Sequence, residues 1–500
     1  MIPSSRLSLR VVPLLVLAAL PAAASAQLIS LKTVPIATGD QFLVFPARNL
    51  GMGGLSIALD DTLNDPFSNP ARGSLVRGTP FFGSPTLYNV SGDNGSGRTL
   101  PAGALFGSSR WFGGALLAFQ QIENQRGNRG FVPGELIPAP SRLSERSEYN
   151  RYAFGMLGRK LPRSGVAVGA SVFGADLGVV DGVHLLYPGA GRIDQGGHML
   201  DYRLGVSGET GGGASFEAVL VHNRFRMEHE ARYLDWSWDP VLRQGISRVR
   251  TESNLDHTDT WGVHLRSVQP LREEGARLGL ILTGNWKSHP KIPNYELANI
   301  PRDPGNSQVY NLGVAFARTD GPATYGIDLV YEPAWSDTWA EADTAVRTPG
   351  GATIPSGGKT VENDFRFNNA IVRMGVGREA ERLGFQLGLQ LRSIDYRLKQ
   401  QDHVRDIRRQ QDEAWLEWTP TWGLGVKFPE LEVRYVGRMT AGTGRPGVDW
   451  GGIRAADGVM LMGSDVLLAP GGPLVLQEER VYVHQVSVSI PVGRHRAGER

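Results

Sequence analysis

Apolar and polar positions alternate along most of the chain, in short stretches that begin near residue 80 and recur to the C-terminus. In residues 277–287, for example, Leu280 and Leu282 fall on one face, while Thr283 and Asn285 fall on the other. This period of two is typical of β-strands, and a strand with one apolar and one polar face can separate lipid from a lumen. About sixteen such segments can be placed, and fourteen are equally compatible with the pattern. The sequence therefore predicts an all-β fold, a transmembrane antiparallel β-barrel of about 14 (14–16) strands.

The predicted connections alternate in length. Short turns are expected at residues 108–111 and 159–164, whereas long polar loops are expected at 226–258, 399–413 and 440–480. Barrels of the bacterial outer membrane have short periplasmic turns and long extracellular loops. Tryptophans and tyrosines near the predicted strand ends fit the aromatic belts of a membrane interface. The pattern therefore favours the bacterial cell outer membrane as the location.

The first residues predict export. Arg6 and Arg10 precede an apolar run at residues 11–20, and the small-residue site Ala24-Ser25-Ala26 follows. This order is typical of a cleaved secretory signal peptide, and an apolar run of this length is too short to span a bilayer as a helix. The predicted organisation is a signal peptide at 1–26, a compact N-terminal segment at 27–79, the barrel at 80–493 and a C-terminal tail at 494–500.

Charge and cysteine content exclude several classes of function. The chain has 52 Lys and Arg against 50 Asp and Glu, and loss of Arg6 and Arg10 with the signal peptide leaves 50 against 50. This balance gives no support for a nucleic-acid partner. Cysteine is absent, so the chain has no disulfide and no thiolate metal ligand or nucleophile.

Candidate catalytic and metal-binding residues do not form a recognisable constellation. His184, His222 and His403 are scattered, with no paired spacing suited to a metal ion. A hydrolase would need a serine and an orienting group beside a base such as His264 or His484, and no serine is singled out for either. We therefore expect no enzyme activity, no cofactor and no metal site. An outer-membrane hydrolase is kept as a third hypothesis, after the two described below.

Charged residues on the polar faces of the predicted strands are better candidates for a functional role. Inside a barrel such charges commonly form ion pairs that anchor a plug, and recognition of a ligand is the alternative. The alternation places seven of them toward the lumen: Arg203, Arg266, Asp328, Arg373, Arg392, Glu432 and Arg434.

The N-terminal segment carries a motif with a known counterpart. Its motif residues are Gly51, Gly53, Gly54, Asn69, Pro70 and Ala71, with Ala58, Asp60 and Asp61 between them. In this run the chain resembles the FadL family of outer-membrane transporters for hydrophobic compounds and their PorV-type relatives, although Arg72-Gly73 follows where that family continues with apolar residues. The resemblance implies a fourteen-stranded barrel closed by an N-terminal hatch. It also implies capture of a hydrophobic substrate by extracellular loops and sideways release into the membrane through a strand kink.

The hypotheses for function follow from these features. The first is passive transport of hydrophobic small molecules, fatty-acid-like or hydrocarbon, with outer-membrane lipid as the surroundings. The alternative is a PorV-like barrel that acts as an interaction or secretion-shuttle partner of secreted proteins. The apolar run at 459–468 slightly favours transport, and Leu461 and Leu467 within it are the candidate loop capture site.

Overall fold

The computed structural model describes residues 28–123, 147–183, 190–289, 305–446 and 476–492, apart from positions 30, 34, 211, 240, 242 and 343. Several predictions fall outside these residues: the signal peptide, the C-terminal tail, His184, and the capture-site residues Leu461 and Leu467. Within the described part of the chain, no helix is long and apolar enough to cross a membrane.

The described residues are mostly β-strand. The strands are β1 Thr79–Gly83, β2 Thr86–Val90, β3 Ser96–Gly107, β4 Trp111–Glu123, β5 Ser147–Lys160, β6 Val166–Leu177, β7 Arg192–Glu209, β8 Ser215–Asp239, β9 Gln244–Pro270, β10 Ala276–His289, β11 Gly305–Asp320, β12 Ala323–Glu341, β13 Val346–Arg347, β14 Thr353–Ile354, β15 Lys359–Glu379, β16 Leu383–Asp402, β17 Ile407–Lys427, β18 Glu432–Pro446 and β19 Leu476–Val492. Short helices occur at Asn49–Met52, Asp65–Ser68, Pro70–Leu75 and Ser91–Asp93.

The strands form one closed antiparallel barrel. Neighbours in the chain pair with each other, and β19 pairs with both β1 and β2 at the closure. β1 and β2 also both pair with β3, so the two share a single position in the wall, interrupted at Pro85, which has no backbone N–H. The barrel therefore has 16 strands, and β13 and β14 form a separate hairpin. The prediction of an antiparallel barrel is confirmed, but the implied number of fourteen is wrong.

The two ends of the barrel differ. At one end two to five residues join each hairpin, such as residues 321–322 between β11 and β12 and 380–382 between β15 and β16. At the other end the predicted loops at 226–258 and 399–413 are wrong, because β8 and β9 continue through the first and β16 and β17 through most of the second. These segments form long hairpins that extend the barrel wall.

The outward face carries a continuous apolar belt. Leu280 on β10 lies beside Val314 on β11, which lies beside Leu329 on β12, and all three side chains are exposed. A row of aromatic rings bounds the belt on the side of the long hairpins. There the rings of Trp286 and Tyr310 are 5.9 Å apart and those of Tyr310 and Trp335 are 5.8 Å apart. This is the arrangement expected where a barrel meets the interface of a bilayer.

The described residues of the segment 28–78 lie inside the barrel and contact its wall on all sides. Hydrogen bonds join Ala37 to β18, Gly53 to β17, Ile57 to β12, Asn69 to β8 and Gln41 to β4. The lumen wall thus supplies hydrogen-bond partners for part of the irregular backbone of this N-terminal segment. Its helices and turns position the candidate site described next.

Candidate functional site

Side-chain caps shape the N-terminal segment. The carboxylate of Asp61 accepts hydrogen bonds from the backbone N–H of Arg48 at 2.5 Å and from three further backbone N–H groups. The amide oxygen of Asn69 accepts from the N–H of Ala71 at 3.0 Å, which caps the turn that Pro70 begins. The predicted Asn-Pro-Ala motif is therefore a helix start, buried against the barrel wall.

The three motif glycines lie in a turn that docks on β15, β16 and β17. Gly53 and Gly54 have φ values of +72° and +75°, the left-handed region in which glycine is favoured. The hydroxyl of Thr421 on β17 donates to the carbonyl oxygen of Gly51 at 2.9 Å and accepts from the N–H of Gly53 at 2.8 Å. One side chain of the wall thus holds both ends of the turn.

The wall offers glycines of its own where this turn docks. A Cβ atom added at Gly388 would lie 2.1 Å from the backbone nitrogen of Gly53, and one added at Gly375 would lie 2.4 Å from the carbonyl oxygen of Met52. Backbone therefore packs on backbone, which only glycine allows at such distances.

A buried ion-pair network joins the segment to β8 and β9. Arg72 pairs with Asp60 at 2.5 Å, with Asp65 at 2.6 Å and with Glu217 on β8 at 3.4 Å. Arg266 on β9 also pairs with Glu217, pairs with Asp60 at 3.1 Å, and donates to two backbone carbonyls of the segment. We call these five residues the anchor network.

The electrostatics of the anchor network follow from burial and opposite charge. Burial raises the pKa of Asp60, but the guanidinium groups of Arg72, Arg266 and Arg277 outweigh it and hold that pKa well below its usual range. For Asp65 burial wins over the attraction of Arg72 and raises the pKa to about 6. Asp60 is therefore the fixed negative charge around which the arginines gather.

Three of the predicted lumen-facing charges lie farther round the wall. Asp328 accepts from the backbone N–H of Ser56 at 2.9 Å and is 3.9 Å from Arg373. Arg392 pairs with Glu332 at 3.2 Å. Asp328 thus binds the segment directly, whereas Arg373 and Arg392 pair with carboxylates of the wall.

The remaining predicted charges also contact or adjoin the segment. Arg203 donates to the carbonyl oxygen of Phe67 at 3.2 Å. Glu432 pairs with Arg48 of the segment at 2.9 Å and with Arg434 at 2.5 Å. The structure thus distributes the seven charges round the lumen instead of gathering them in one pocket, and Arg266 is the member at the anchor network.

The interior is apolar on one side. Phe154, Phe173, Met199, Phe225 and Met227, which we call the inner apolar wall, are buried on the inward faces of β5 to β8. Their cluster includes Phe67 of the segment, whose ring is 4.9 Å from that of Phe154. Porins, by contrast, have a polar, water-filled interior.

A second apolar cluster lines the opposite side of the lumen, around two residues near the start of the described chain. Its members are Ile29, Leu31, Val309, Ala334, Phe365, Phe367, Tyr396 and Leu398. Between the segment and the wall at Glu217 and Arg373 lies a cavity of about 60 Å³, room for roughly two water molecules and too small for a fatty acid.

Four of the histidines considered in the sequence lie in the described part of the chain, and each has a polar partner. The Nδ1 atom of His264 is 2.9 Å from the hydroxyl of Thr283, and that of His484 is 2.8 Å from the hydroxyl of Tyr435. His222 and His403 pair with carboxylates. Among the residues that the structure describes, no group of three or more histidines and carboxylates could hold a metal ion.

Sequence reasoning did not single out two members of the anchor network, Glu217 and Arg72. Glu217 could have been found, because it lies on the inward face of β8 in the same alternation as Val219. Arg72 gave no such signal, since it follows the Asn-Pro-Ala motif in a segment without periodicity. At this position the chain departs from the family pattern, and the residue found there, Arg72, pairs with three carboxylates.

Comparison with known proteins gives distant structural likenesses. No protein-family model matches the chain, and no curated protein matches it. A FadL homologue of Pseudomonas aeruginosa is 10% identical, with 94% of this chain and 100% of that chain covered and a TM-score of 0.43. The Ralstonia pickettii toluene transporter TbuX is 10% identical over 90% and 99% of the two chains, with a TM-score of 0.41. A bacterial polysaccharide outer-membrane secretin is 7% identical over 83% and 98%, with a TM-score of 0.36.

The class of the protein rests on its own architecture. A closed antiparallel barrel with short turns at one end, long hairpins at the other and an outward apolar belt bounded by aromatic rings is a β-barrel of the bacterial outer membrane.

Proposed function

We propose that this barrel passively transports hydrophobic small molecules, fatty-acid-like or hydrocarbon, across the outer membrane. The observation that carries the proposal is the inner apolar wall, because inward-facing Met199, Phe225 and Met227 continue on β7 and β8 beyond the level of the outward belt. An apolar solute gains free energy from such a lining and none from a water-filled pore. This wall extends from the long hairpins to Phe67, and Phe42 and Phe45 of the N-terminal segment pack against it.

In this proposal the N-terminal segment is a hatch. Its ion pairs and hydrogen bonds to the wall keep the lumen closed to polar solutes, while a hydrophobic solute leaves sideways into lipid. The interrupted first strand at Ser84 and Pro85 is the candidate exit, because Pro85 and nearby Pro101 on β3 both lack the N–H that would strengthen the ladder.

The test compares two substitutions of Met227, whose side chain is fully buried. Met227→Gln keeps the volume but adds a polar amide, which costs about 1–3 kcal/mol in an apolar setting and should slow uptake of a fluorescent fatty acid by about tenfold. Met227→Leu keeps the lining apolar and should leave uptake unchanged. Heat-resistant mobility on a gel reports the folded barrel in both. Equal uptake by the folded Met227→Gln variant would contradict a path along this wall.

The long hairpins support a second function, a PorV-like role as the partner of a secreted protein. The outward faces of β8 and β16 beyond the belt carry charged residues such as Glu228, Arg232, Arg397 and Lys399. Polar surfaces of this kind suit a protein partner better than a lipid ligand. Absence of any hydrophobic uptake by the unmodified, folded protein would favour this role.

A further inference from the structure

An apolar groove indents the outward face of β5 to β8 at the end of the barrel that has the short turns. It has a volume of about 600 Å³, and Trp111 and Arg159 line it at the turns. The apolar part of its lining includes Leu157, Val168, Ala170, Leu204, Val206 and Ala218. We call it the turn-side groove.

Two alanines give the turn-side groove its depth. In one row across the strands Ala170 lies between Leu157 and Leu204, and in the next row Ala218 lies beside Val206. Both leucines and Val206 are exposed on the outward face. Because an alanine is shorter than these neighbours, the lipid-facing surface is lower here, and an acyl chain can lie in the depression.

An aromatic ring and a cation lie at the turn end of the groove. Trp111 on β4 and Arg159 on β5 are cross-strand partners, and the guanidinium of Arg159 is 5.4 Å from the centroid of the Trp111 ring. Tryptophan at this level fits the interface of a bilayer. Arg159 is two residues from Leu157, about 7 Å at roughly 3.4 Å per residue. One lipid can therefore reach Arg159 with its head group and the groove with its chains.

Two further cations adjoin Arg159. Arg110 precedes Trp111 in the turn between β3 and β4, and Lys160 follows Arg159 at the end of β5. The backbone N–H of Lys160 donates to the carbonyl oxygen of Arg110 at 2.8 Å, so the two residues lie together. We call Arg110, Arg159 and Lys160 the basic corner.

The charge of the basic corner is not balanced locally. The sequence has no acidic residue from position 94 to 122 or from 149 to 175, and these stretches include both short turns of β3 to β6. The other short turns of the described chain contain or adjoin acidic residues, namely Glu209, Glu273, Asp320, Glu381 and Glu430. At this end of the barrel the sector of β3 to β6 therefore attracts an anion.

We propose that the basic corner and the turn-side groove together bind an anionic glycerophospholipid of the inner leaflet. Short turns of outer-membrane barrels face the periplasm, so this end of the wall lies in the inner leaflet. The cations of the corner donate charge-assisted hydrogen bonds to the phosphate, and the acyl chains lie over Ala170 and Ala218. The site faces lipid and not the lumen, so the proposal does not depend on transport.

The test measures lipid retention by native mass spectrometry of the purified full-length protein in detergent. Phosphatidylglycerol should bind at least about fivefold more tightly than phosphatidylcholine with the same acyl chains, because only the former has a net negative charge. Arg159→Gln should remove most of this preference and Arg110→Gln should reduce it, whereas Arg159→Lys keeps the charge and should retain most of it. Arg318→Gln is the matched control, because it removes an outward arginine at the same end that pairs with Glu273 at 2.7 Å. It should leave the preference unchanged.

A second arm tests the groove. Ala170→Phe fills the depression and should weaken the binding of both lipids. Ala153→Phe adds the same side chain on the outward face of β5, outside the lining of the groove, and should have no effect. Heat-resistant mobility on a gel reports the folded barrel in every variant.

Equal retention of the two lipids by the unmodified protein would overturn the proposal, and so would an unchanged preference in folded Arg159→Gln. Displacement of phosphatidylglycerol by millimolar glycerol phosphate would show a simple anion site and overturn the lipid assignment. Unchanged binding by folded Ala170→Phe would contradict a role for the groove. Fatty-acid uptake should be the same in Arg159→Gln as in the unmodified protein, so this proposal and the proposed transport can fail separately.

Discussion

At the scale of single residues, Arg72 holds the N-terminal segment in the barrel. Its side chain is almost fully buried and contacts carboxylates of the segment and of β8. Such a group adds little when every charge is paired, but its loss leaves buried carboxylates without a counter-charge. Removal of one partner therefore costs more free energy than the intact network contributes to stability.

We predict that Arg72→Ala destabilises the docked segment by about 3–5 kcal/mol, because Asp65 and Glu217 then lose a buried partner. Limited proteolysis of the folded protein should show cleavage of the N-terminal segment at protease concentrations that leave the unmodified protein intact. Arg397→Ala, which breaks an exposed pair with Asp412, serves as control and should not change the cleavage. Equal protection of the Arg72→Ala segment would contradict an anchoring role.

Close backbone contact gives a second prediction at this scale. Gly388→Val would place a Cβ atom 2.1 Å from the nitrogen of Gly53, so the motif turn must leave its seat on β16. Gly384→Ala on the same strand meets its nearest atom at 3.6 Å and should be tolerated. Hydrogen exchange of residues 49–54 in folded barrel measures the difference, and unchanged protection in Gly388→Val would count against the docking described.

At the scale of the strands, the alternation of apolar and polar residues predicted which strand face points outward only in the part of the barrel that lipid surrounds. Leu280 points outward and Thr283 inward, as expected, whereas the hairpin of β8 and β9 was expected to be a loop. Beyond the membrane the polarity is inverted, because Met227 faces inward and Glu228 faces water. A search for apolar residues on an outward face cannot find strands built in this way.

The belt gives a prediction about insertion. Leu280→Arg places a charge in the belt, at a cost of about 2–4 kcal/mol if the residue lies at the bilayer midplane, and should impair insertion. Asn306→Arg lies on the outward face of the adjacent strand, beyond the aromatic row, and should insert normally. Folding into liposomes, read as heat-resistant mobility on a gel, compares the two. Equal insertion would mean that the position of the belt is wrong.

At the scale of the whole molecule, wall and N-terminal segment are built on different principles. The wall is closed by backbone hydrogen bonds between strands, so it does not depend on the segment for its ladder. The sequence could predict a barrel from its periodicity, but not the strand number, since sixteen and fourteen differ by one hairpin. The anchor network could not be predicted either, because it joins residues far apart in the chain.

We predict that deletion of residues 28–71 leaves a barrel that folds but conducts small polar solutes. The deletion removes the segment and its buried contacts from the lumen and leaves the strands intact. Conductance across a planar bilayer should rise well above that of the intact protein. If the folded deletion variant remains as impermeable as the intact barrel, the segment does not act as a hatch.

The central claim, transport of hydrophobic molecules along an apolar lumen, is tested most directly by uptake into cells whose outer membrane contains the protein. Uptake of a fluorescent fatty acid should exceed that of cells without the protein and should fall about tenfold with Met227→Gln but not with Met227→Leu, as the cost of a polar group in the apolar lining requires. Uptake no greater than in cells without the protein, with the barrel folded and inserted, would contradict the claim.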